Sequence, residues 1–383
     1  MKISTSNLRP LVKIWSMLRK NGMRAYEYVY IDFNAHKIKF MDEQSLIIVD
    51  LGLSDFEEHE PIYVDGSKFF SLVGAYDSLE IKADDSTFYT SDGNKFNLPQ
   101  LDIADASFPD DDYTDWNIQT IDFTNEFNRL IVSSLNYVDS NINSEFSTLY
   151  FMSGYAVALD EHKMFFAKLP SSFTVNCNFP YQLIKIITAL RLENEVEFKF
   201  RELSNEAIMI EFIYNGIQIR FSSSAKYSLP VDPLDPDFQS QFNHNNWFIV
   251  DKNQLNSSVN FLGEFLKDVT DVICTCKFVS LDENDNVLDE PYLQIDSNYS
   301  GEVSYKIPIK EFSDASYFTG KTLILYLNIF KSVVSTLSNY DTEDILVRYE
   351  EGKPTVYFAN AKNMQDGNED DVYVIHTVID ESV

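Results

Sequence analysis

The clearest apolar pattern near the N-terminus has the spacing of one helix face. Its apolar positions are Leu8, Leu11, Val12, Trp15 and Leu18. They recur at i, i+3, i+4, i+7 and i+10, which predicts an amphipathic helix. Asn7 is a suitable N-cap, Pro10 fits the first turn, and Gly22 ends the element.

A second predicted helix is followed by short strands. Residues 66–76 carry the apolar face of this helix, and residues 79–82, 87–89 and 95–98 alternate between apolar and polar positions. The intervening Asp84-Asp85 and Asp92-Gly93 pairs are typical of tight turns. This order predicts a helix that packs on an antiparallel sheet.

The same order occurs twice more along the chain. Further helices are predicted at about 124–137, 180–191, 252–267 and 322–338. Strands are predicted at 149–158, 163–169, 195–200, 207–214, 217–222, 272–281, 292–295, 302–307, 344–349, 355–358 and 372–379.

Helix starts near residues 8, 124 and 252 give a spacing of roughly 120 residues, which is too long for a solenoid repeat. We therefore expect an α+β chain of three similar domains, each with two helices on one face of an antiparallel sheet. The predicted domains are residues 1–115, 116–243 and 244–383, joined by linkers near 99–116 and 229–246.

Composition restricts the class of protein. The chain has 383 residues, with 60 acidic and 30 basic side chains and a net charge of −30. Its 44% hydrophobic content argues against intrinsic disorder. The sequence has no apolar stretch of about 18 residues and no signal-peptide core, so no membrane span and no secretion are expected. Its three cysteines cannot form a disulfide framework, and a reducing cytoplasm is expected.

The positive charge is concentrated on the predicted helices. The first 26 residues contain no acid, and the six helical segments together hold 11 basic and two acidic side chains. Such helices can approach phosphates without reading bases, because they lack a cluster of side chains suited to bidentate base contacts. Ordinary amphipathic helices with Lys-rich exposed faces are the alternative interpretation.

No motif indicates catalysis. The sequence has no Walker A, GxGxxG, GxSxG or HExxH pattern. Cys274 and Cys276 lie on one face of a predicted strand and are interpreted as buried thiols rather than metal ligands. The acidic runs at 110–112 and 282–286 lack the companion residues of a two-metal or calcium site. We expect a non-enzymatic protein without a cofactor or a metal.

Several ordered motifs resemble those of one known family. They are Val64-Asp65-Gly66-Ser67-Lys68-Phe69-Phe70, Lys95-Phe96-Asn97-Leu98-Pro99 followed by Ala106-Ser107-Phe108-Pro109-Asp110, the stretch from Tyr155 to Met164, and Tyr373-Val374-Ile375. The motifs resemble "P-x-K-x-F", a short strand leading to "A-x-x-F-P", "A-T-D-G-H-R-L" and the start of "Y-V-V-M-P-M-R-L" in bacterial-type DNA sliding clamps, the beta subunits of DNA polymerase III. The resemblance spans nearly the whole chain and is weakest over residues 25–60. Its divergence suits a viral or otherwise specialised clamp.

The resemblance implies a ring. Two copies would form a head-to-tail homodimer of six similar domains, and helices would line a central hole that holds double-stranded DNA topologically. The implied partners are a DNA polymerase and a clamp loader, with RNA polymerase as a further candidate, in the cytoplasm of a bacterium or an infected bacterial host. The candidate DNA-facing residues are Arg9, Lys13, Arg19, Lys20, Arg24, Lys68, Arg129, Lys185, Arg191 and Lys331.

The resemblance also implies a pocket for partner peptides between domains two and three. Matching positions are Leu159, His162, Met164, Pro230, Val374 and His376. The chain departs from the family at Leu159, where the family has Thr, and at Glu161, where it has Gly. The family's terminal Met-Pro-Met-Arg-Leu is replaced by residues 376–380, and Pro233 and Pro236 compete with Pro230. By residue type alone, Leu159, Met164 and Val374 are typical of a core.

Two other functions remain open from the residues. One is a structural or virion protein that uses three β-rich domains for assembly. The other is a metal-dependent nuclease with unrecognised carboxylates. The concentration of positive charge on the helices favours the clamp over the assembly protein.

Overall fold

The computed structural model describes residues 2–18, 24–51, 60–82, 87–90, 92–100, 113–141, 144, 146–152, 154–171, 173, 177–203, 208–223, 235–236, 240, 244–266, 272–281, 287–297, 303–351, 353–362 and 372–377. The helices are α1 (Arg9–Met17), α2 (Gly66–Ala75), α3 (Asn125–Ser134), α4 (Tyr181–Leu190), α5 (Lys252–Phe265), α6 (Ala315–Phe318) and α7 (Leu327–Ser338), with a 3₁₀ turn at Arg24–Glu27. No helix among these described residues is long and apolar enough to cross a membrane.

The strands form antiparallel ladders. They are β1 (Lys2–Ser4), β2 (Tyr28–Asp32), β3 (Lys37–Met41), β4 (Ser45–Asp50), β5 (Ile62–Asp65), β6 (Ser78–Lys82), β7 (Thr87–Thr90), β8 (Lys95–Asn97), β9 (Asn117–Phe123), β10 (Thr148–Met152), β11 (Tyr155–Leu159), β12 (Lys163–Lys168), β13 (Asn178–Pro180), β14 (Asn194–Glu202), β15 (Ile208–Tyr214), β16 (Ile217–Ser223), β17 (Trp247–Asp251), β18 (Ile273–Leu281), β19 (Val287–Ser297), β20 (Val303–Phe312), β21 (Thr322–Tyr326), β22 (Asp344–Tyr349), β23 (Thr355–Asn360) and β24 (Val372–Thr377).

The chain divides into two compact units. Unit 1 comprises residues 1–128 and 182–227, and unit 2 comprises residues 129–181 and 228–383. Residues of the predicted second domain occur in both units, because its strands pair with strands from each side of it in the sequence. The division into three domains stays a prediction.

Unit 1 contains two sheets. One has eight strands in the order β5-β2-β3-β4-β16-β15-β14-β9, and the other has four in the order β1-β6-β7-β8. Strands β4 and β16, far apart in sequence, pair from Ser45↔Phe221 to Val49↔Ile217. The β15–β16 hairpin turns at Asn215 and Gly216, both at positive φ, as the Asn-Gly pair predicts.

Unit 2 contains one long sheet. Its order is β13-β10-β11-β12-β24-β23-β22-β17-β20-β19-β18-β21. Strands β12 and β24 pair from Lys163↔His376 to Ala167↔Val372. Strands β17 and β20 meet only over Phe248↔Phe312, Ile249↔Glu311 and Val250↔Ile309, with a register shift. The long sheet is therefore an eight-stranded part that ends at β17 and a four-stranded part, β20-β19-β18-β21.

The two eight-stranded arrangements share one plan. In each, strands of one repeat join strands of the next repeat, through β4–β16 in unit 1 and through β12–β24 in unit 2. The four-stranded groups β1-β6-β7-β8 and β20-β19-β18-β21 each correspond to half of that plan. We call each eight-stranded arrangement a complete joint and each four-stranded group a half-sheet. Within its described residues, the chain thus contains two complete joints and two half-sheets.

The helices lie in pairs within each unit. Helix α1 packs on α2, and α5 packs on α7. Asp65 caps α2 by accepting the Lys68 N–H at 2.9 Å, and Asp251 caps α5 by accepting the Gln254 N–H at 2.9 Å. Such caps satisfy backbone donors that the first helical turn leaves free.

One predicted helix is partly wrong. Residues 322–326 form strand β21, and helix α7 begins only at Leu327. The run Thr-Leu-Ile-Leu-Tyr alternates between half-buried and buried positions, which is the period of a strand. A short apolar run cannot be assigned by periodicity alone, and pairing with β18 decides it here.

The predicted burial of the two strand cysteines is confirmed. Cys274 and Cys276 are both buried on β18. Burial raises the pKa of Cys274 to about 12, so the thiol stays protonated at neutral pH. Within the described ranges, no group of three His, Cys, Asp or Glu side chains could hold a metal ion. The acidic runs at 110–112 and 282–286 lie outside those ranges.

Candidate nucleic-acid interface and partner pocket

The predicted DNA-facing side chains of α1 lie on its exposed face. Arg9 and Lys13 are exposed, whereas Leu11, Ile14 and Trp15 are buried. Arg9 forms an ion pair with Asp77. The charge of Arg9 is therefore partly neutralised within the chain, which leaves Lys13 as the stronger candidate for a phosphate contact.

The other helices present further basic side chains. Lys68 on α2, Arg129 on α3 and Lys331 on α7 are described at the helix surfaces, and all three are exposed. Lys185 on α4 is half-buried. Arg191 directly follows α4, where it is exposed and has a φ of 53°. Arg19 and Lys20 lie outside the described residues, and of Arg24 only the backbone is described.

These helices are poor in acids. The sequences of α1, α2, α4 and α7 contain no Asp or Glu, although the whole chain carries a net charge of −30. A cation on such a surface is less neutralised by its neighbours than one on the acidic strands and loops. The helices can therefore attract a polyanion through sequence-independent contacts.

The partner-pocket prediction centres on the hairpin between β11 and β12. Asp160 organises its turn, because one carboxylate oxygen accepts the N–H groups of His162 and Lys163 at 2.8 and 2.9 Å. The Lys163 ammonium lies 3.5 Å from the other carboxylate oxygen. His162 lies at the tip of this hairpin, where its backbone is tied to Asp160.

The strand register separates the predicted pocket residues. Leu159 and Met164 are cross-strand neighbours and share one face of the sheet. Val374 is opposite Phe165, and His376 is opposite Lys163, so both belong to the other face. Pro230 lies outside the described residues. The structure therefore does not bring the predicted set together on one surface.

Most of these side chains are core residues. Leu159, Val374 and His376 are buried, and Met164 is half-buried. His376, at 0% exposure, is therefore a core residue rather than a surface residue of a peptide pocket. Its ring lies 6.0 Å from Tyr137 and 6.1 Å from Phe358, and neither ring nitrogen has a hydrogen-bond partner within the described part of the chain. Burial, with Lys163 as a lesser cause, lowers the pKa of His376 well below its usual value.

A pocket opens beside the hairpin. It has a volume of about 520 Å³. Its lining comprises Leu135, Asn136, Val138, Asp139, Ser140, Phe146, Asp160, Glu161, His162, Lys163 and Tyr181. Among these described lining residues, His162 is the one that the sequence predicted for the partner pocket. The pocket combines apolar side chains with hydrogen-bonding groups, as sites for peptide side chains do.

The sequence did not predict the apolar and aromatic residues that line the rest of this pocket. Leu135 and Val138 follow α3, Phe146 precedes β10, and Tyr181 begins α4. These segments meet because the Tyr181 N–H donates to the Ser147 carbonyl at 2.8 Å and β10 pairs with β13. No periodicity in the sequence signals that contact.

The sequence alone matches no protein-family model, and no curated protein sequence matches it. Solved structures are similar over the whole chain. A putative DNA polymerase III beta subunit of Eubacterium rectale matches at 15% identity and a TM-score of 0.71, covering 100% of this chain and 99% of that one. The beta subunit of Thermotoga maritima matches at 12% identity and a TM-score of 0.73, covering 99% and 98%.

The DNA polymerase sliding clamp of Bacillus subtilis gives the same result. It matches at 12% identity and a TM-score of 0.71, with 99% of this chain and 98% of that chain covered. Agreement over entire chains includes the strand joints and the helix pairs described above. This chain therefore has the fold of the bacterial DNA polymerase III beta subunits, the DNA sliding clamp fold.

Proposed function

We propose that this chain is a DNA sliding clamp, a non-catalytic ring that encircles duplex DNA and tethers a replicative DNA polymerase. The observation that carries the proposal is the full-length agreement with clamp structures, at TM-scores of 0.71 and 0.73. The basic, acid-poor helices support it independently, because they favour a polyanion without base readout.

The half-sheets support a ring of two copies. Among the described strands, β8 pairs with β7 alone, and β20 pairs with β19 and, near its end, briefly with β17. Both strands thus leave backbone N–H and C=O groups available for another strand. If β8 of each copy pairs with β20 of the other, the two half-sheets complete a joint of the β4–β16 kind. Two such joints close a cyclic dimer in which every β8 edge and every β20 edge is paired.

In this proposal the three repeats of each chain become six domains of one ring. Lys13, Lys68, Arg129 and Lys331 face the phosphates, together with the other basic positions predicted from the sequence. The acidic remainder of the chain repels DNA elsewhere, which favours the path through the hole over binding at the outside. Held topologically, the DNA needs no tight contact.

The pocket beside the β11–β12 hairpin is the proposed docking site for partner peptides. Its concave shape and mixed lining suit a short segment anchored by one or two side chains. A DNA polymerase and a clamp loader are the proposed partners, with RNA polymerase as a further one, in a bacterial cytoplasm.

Retention on circular DNA tests the function. Labelled protein is loaded, by its cognate loader or at high protein concentration, onto a nicked circular plasmid and passed through a sizing column in high salt. We expect retention on the circle and release after one restriction cut, because a ring slides off a free end. Equal retention on circular and linear DNA, or on neither, would contradict topological binding. An assembly protein of the virion type, which does not encircle DNA, would be retained on neither the circular nor the linear DNA.

A further inference from the structure

The pocket beside the β11–β12 hairpin carries an excess of negative charge. Its lining contains the carboxylates of Asp139, Asp160 and Glu161, and among these described lining residues Lys163 is the one Lys or Arg. With a neutral imidazole at His162, three negative charges and one positive charge leave an excess of two negative charges. A pocket with this charge attracts cationic groups and repels anionic ones.

The lysine of the lining is already paired. Its ammonium lies 3.5 Å from one oxygen of Asp160, whose other oxygen accepts the backbone N–H groups of His162 and Lys163. The same ammonium lies 5.5 Å from the centre of the Tyr137 ring. Lys163 therefore compensates Asp160, and the negative charge that a ligand meets belongs to Asp139 and Glu161.

These two carboxylates are presented in different ways. Asp139 is half-buried, and its position is fixed because its N–H donates to the Phe146 carbonyl at 2.9 Å and one carboxylate oxygen accepts the Asn141 N–H at 2.9 Å. A carboxylate has about four acceptor sites, so Asp139 keeps capacity for a further donor. Glu161 is exposed at the tip of the hairpin, where its side chain can adjust to a ligand.

An apolar wall accompanies the carboxylates. Leu135, Phe146 and Tyr181 are half-buried and Val138 is buried, and all four line the same cavity of about 520 Å³. Within the described part of the chain, no group of three His, Cys, Asp or Glu side chains is placed to hold a metal ion. The carboxylates therefore border an apolar cavity rather than converge on one ion, and this combination suits an amphipathic organic cation.

We propose that this pocket selects partner peptides in which a Lys or Arg lies close to an apolar side chain. The apolar side chain packs against Leu135 and Phe146, and the basic group pairs with Asp139 and Glu161. An Arg guanidinium or a Lys ammonium forms charge-assisted hydrogen bonds with such carboxylates. The net charge of −30 on the whole chain adds a long-range attraction for a basic partner. This inference rests on the proposed function and names the chemistry of the peptide at its docking site.

Selection from a displayed library of random short peptides tests the preference. The library is selected separately on the wild type and on Leu135→Ser, which removes part of the apolar wall without adding a charge. Peptides that bind the wild type but not Leu135→Ser occupy the pocket. We expect these peptides to be enriched in Lys and Arg beside an apolar residue and depleted in Asp and Glu. Far-ultraviolet circular dichroism verifies that Leu135→Ser is folded.

Fluorescence anisotropy of one selected peptide then measures what the two carboxylates contribute. Asp139→Asn with Glu161→Gln should weaken binding about five- to tenfold, since pairs at a partly exposed site are each worth up to about 1 kcal/mol. The dependence of binding on salt concentration should also become flatter, because fewer charged pairs are screened. The amide oxygen of Asp139→Asn can still accept the Asn141 N–H, so the loop is retained.

A matched variant controls for the change in net charge. Asp289→Asn with Glu290→Gln removes the same two charges from exposed positions on β19, which five strands separate from β12 in the long sheet. This control should bind the selected peptide as tightly as the wild type does.

The outcomes separate this inference from the proposed function. Pocket-binding peptides without an excess of Lys and Arg, or equal affinities for the wild type and Asp139→Asn with Glu161→Gln, would overturn the charge preference and leave the docking pocket standing. A wild type that retrieves no peptide dependent on Leu135 would overturn the pocket together with the preference. Retention on circular DNA tests the ring independently of both.

Discussion

The indole ring of Trp15 lies against Gly66, at the contact between α1 and α2. A Cβ atom at Gly66 would overlap the six-membered ring of Trp15. Trp15 also packs on Phe70, with ring centroids 5.2 Å apart. The glycine is therefore needed for close approach of the two helices rather than for its backbone freedom.

Gly66→Ala should lower the free energy of unfolding by about 1–3 kcal/mol, because an overpacked core forces neighbouring side chains to shift. Urea unfolding followed by Trp fluorescence measures the change. Ser71→Ala is the control in the same helix, since Ser71 is exposed and alanine favours helix slightly. Equal midpoints for Gly66→Ala and wild type would mean that the contact is not tight.

The basic residues of the helices should determine the salt dependence of DNA binding. Lys13→Ala, Lys68→Ala, Arg129→Ala and Lys331→Ala combined should weaken binding and reduce the slope of log K against log salt. The expected reduction is up to about 0.9 for each phosphate that the variant no longer neutralises. Fluorescence anisotropy of a labelled duplex over a range of salt concentrations measures it.

Two control variants test whether the change in salt slope comes from the basic side chains of the helices. Lys277→Ala, on strand β18 beside Asp296, should leave the slope unchanged. Arg9→Ala should have a smaller effect than Lys13→Ala, because Arg9 is already paired with Asp77. A slope unaltered in the fourfold variant would remove these helices from the DNA path.

His244 should make stability depend on pH. Its side chain is buried, 3.9 Å from the Glu350 carboxylate, and burial followed by Lys353 lowers its pKa from 6.5 to about 4. Between pH 6.5 and 4 the unfolded chain binds a proton at His244 that the folded chain does not. Stability should therefore fall as the pH decreases through this window, by at most roughly 1.4 kcal/mol per pH unit from this residue.

The variant His244→Gln isolates this contribution. Its free energy of unfolding should change less than that of the wild type between pH 6.5 and pH 4, and the two curves should run parallel above pH 7. Carboxylates and His376 titrate in both proteins and cancel in the comparison. Parallel curves throughout would show that His244 keeps an ordinary pKa.

The pocket beside the β11–β12 hairpin should bind the partner peptide. Leu135→Asp places a charge in the apolar part of its lining and should weaken capture of a polymerase-tail peptide at least tenfold, since the charge is desolvated on binding. Isothermal titration measures the affinity, and sedimentation in parallel should give an unchanged mass. Ile213→Asp is the control on an exposed apolar position outside the pocket.

Met164→Asp distinguishes the two faces of the sheet. Met164 shares its face with Leu159 rather than with Val374. Abolished peptide binding in Met164→Asp with full binding in Leu135→Asp would place the site on that face instead of in the observed pocket.

Local patterns in the sequence determined the elements. The spacing of Leu8, Leu11 and Trp15 defined helix α1, and Asn215-Gly216 defined the β15–β16 turn, because both signals act within a few residues. The acid-poor character of the helices was also readable, since charge is a property of composition. These features, with the ordered motifs, led to the correct fold.

Long-range pairing decided the rest. Residues 322–326 became a strand because β18 pairs with them, and His376 became a core residue because the β12–β24 register turns it away from Met164. The pocket needs Leu135, Phe146 and Tyr181 to meet, and the two half-sheets are defined by which strand edges remain open. Cross-strand register and edge exposure depend on contacts between residues distant in sequence, so only the tertiary structure could assign them.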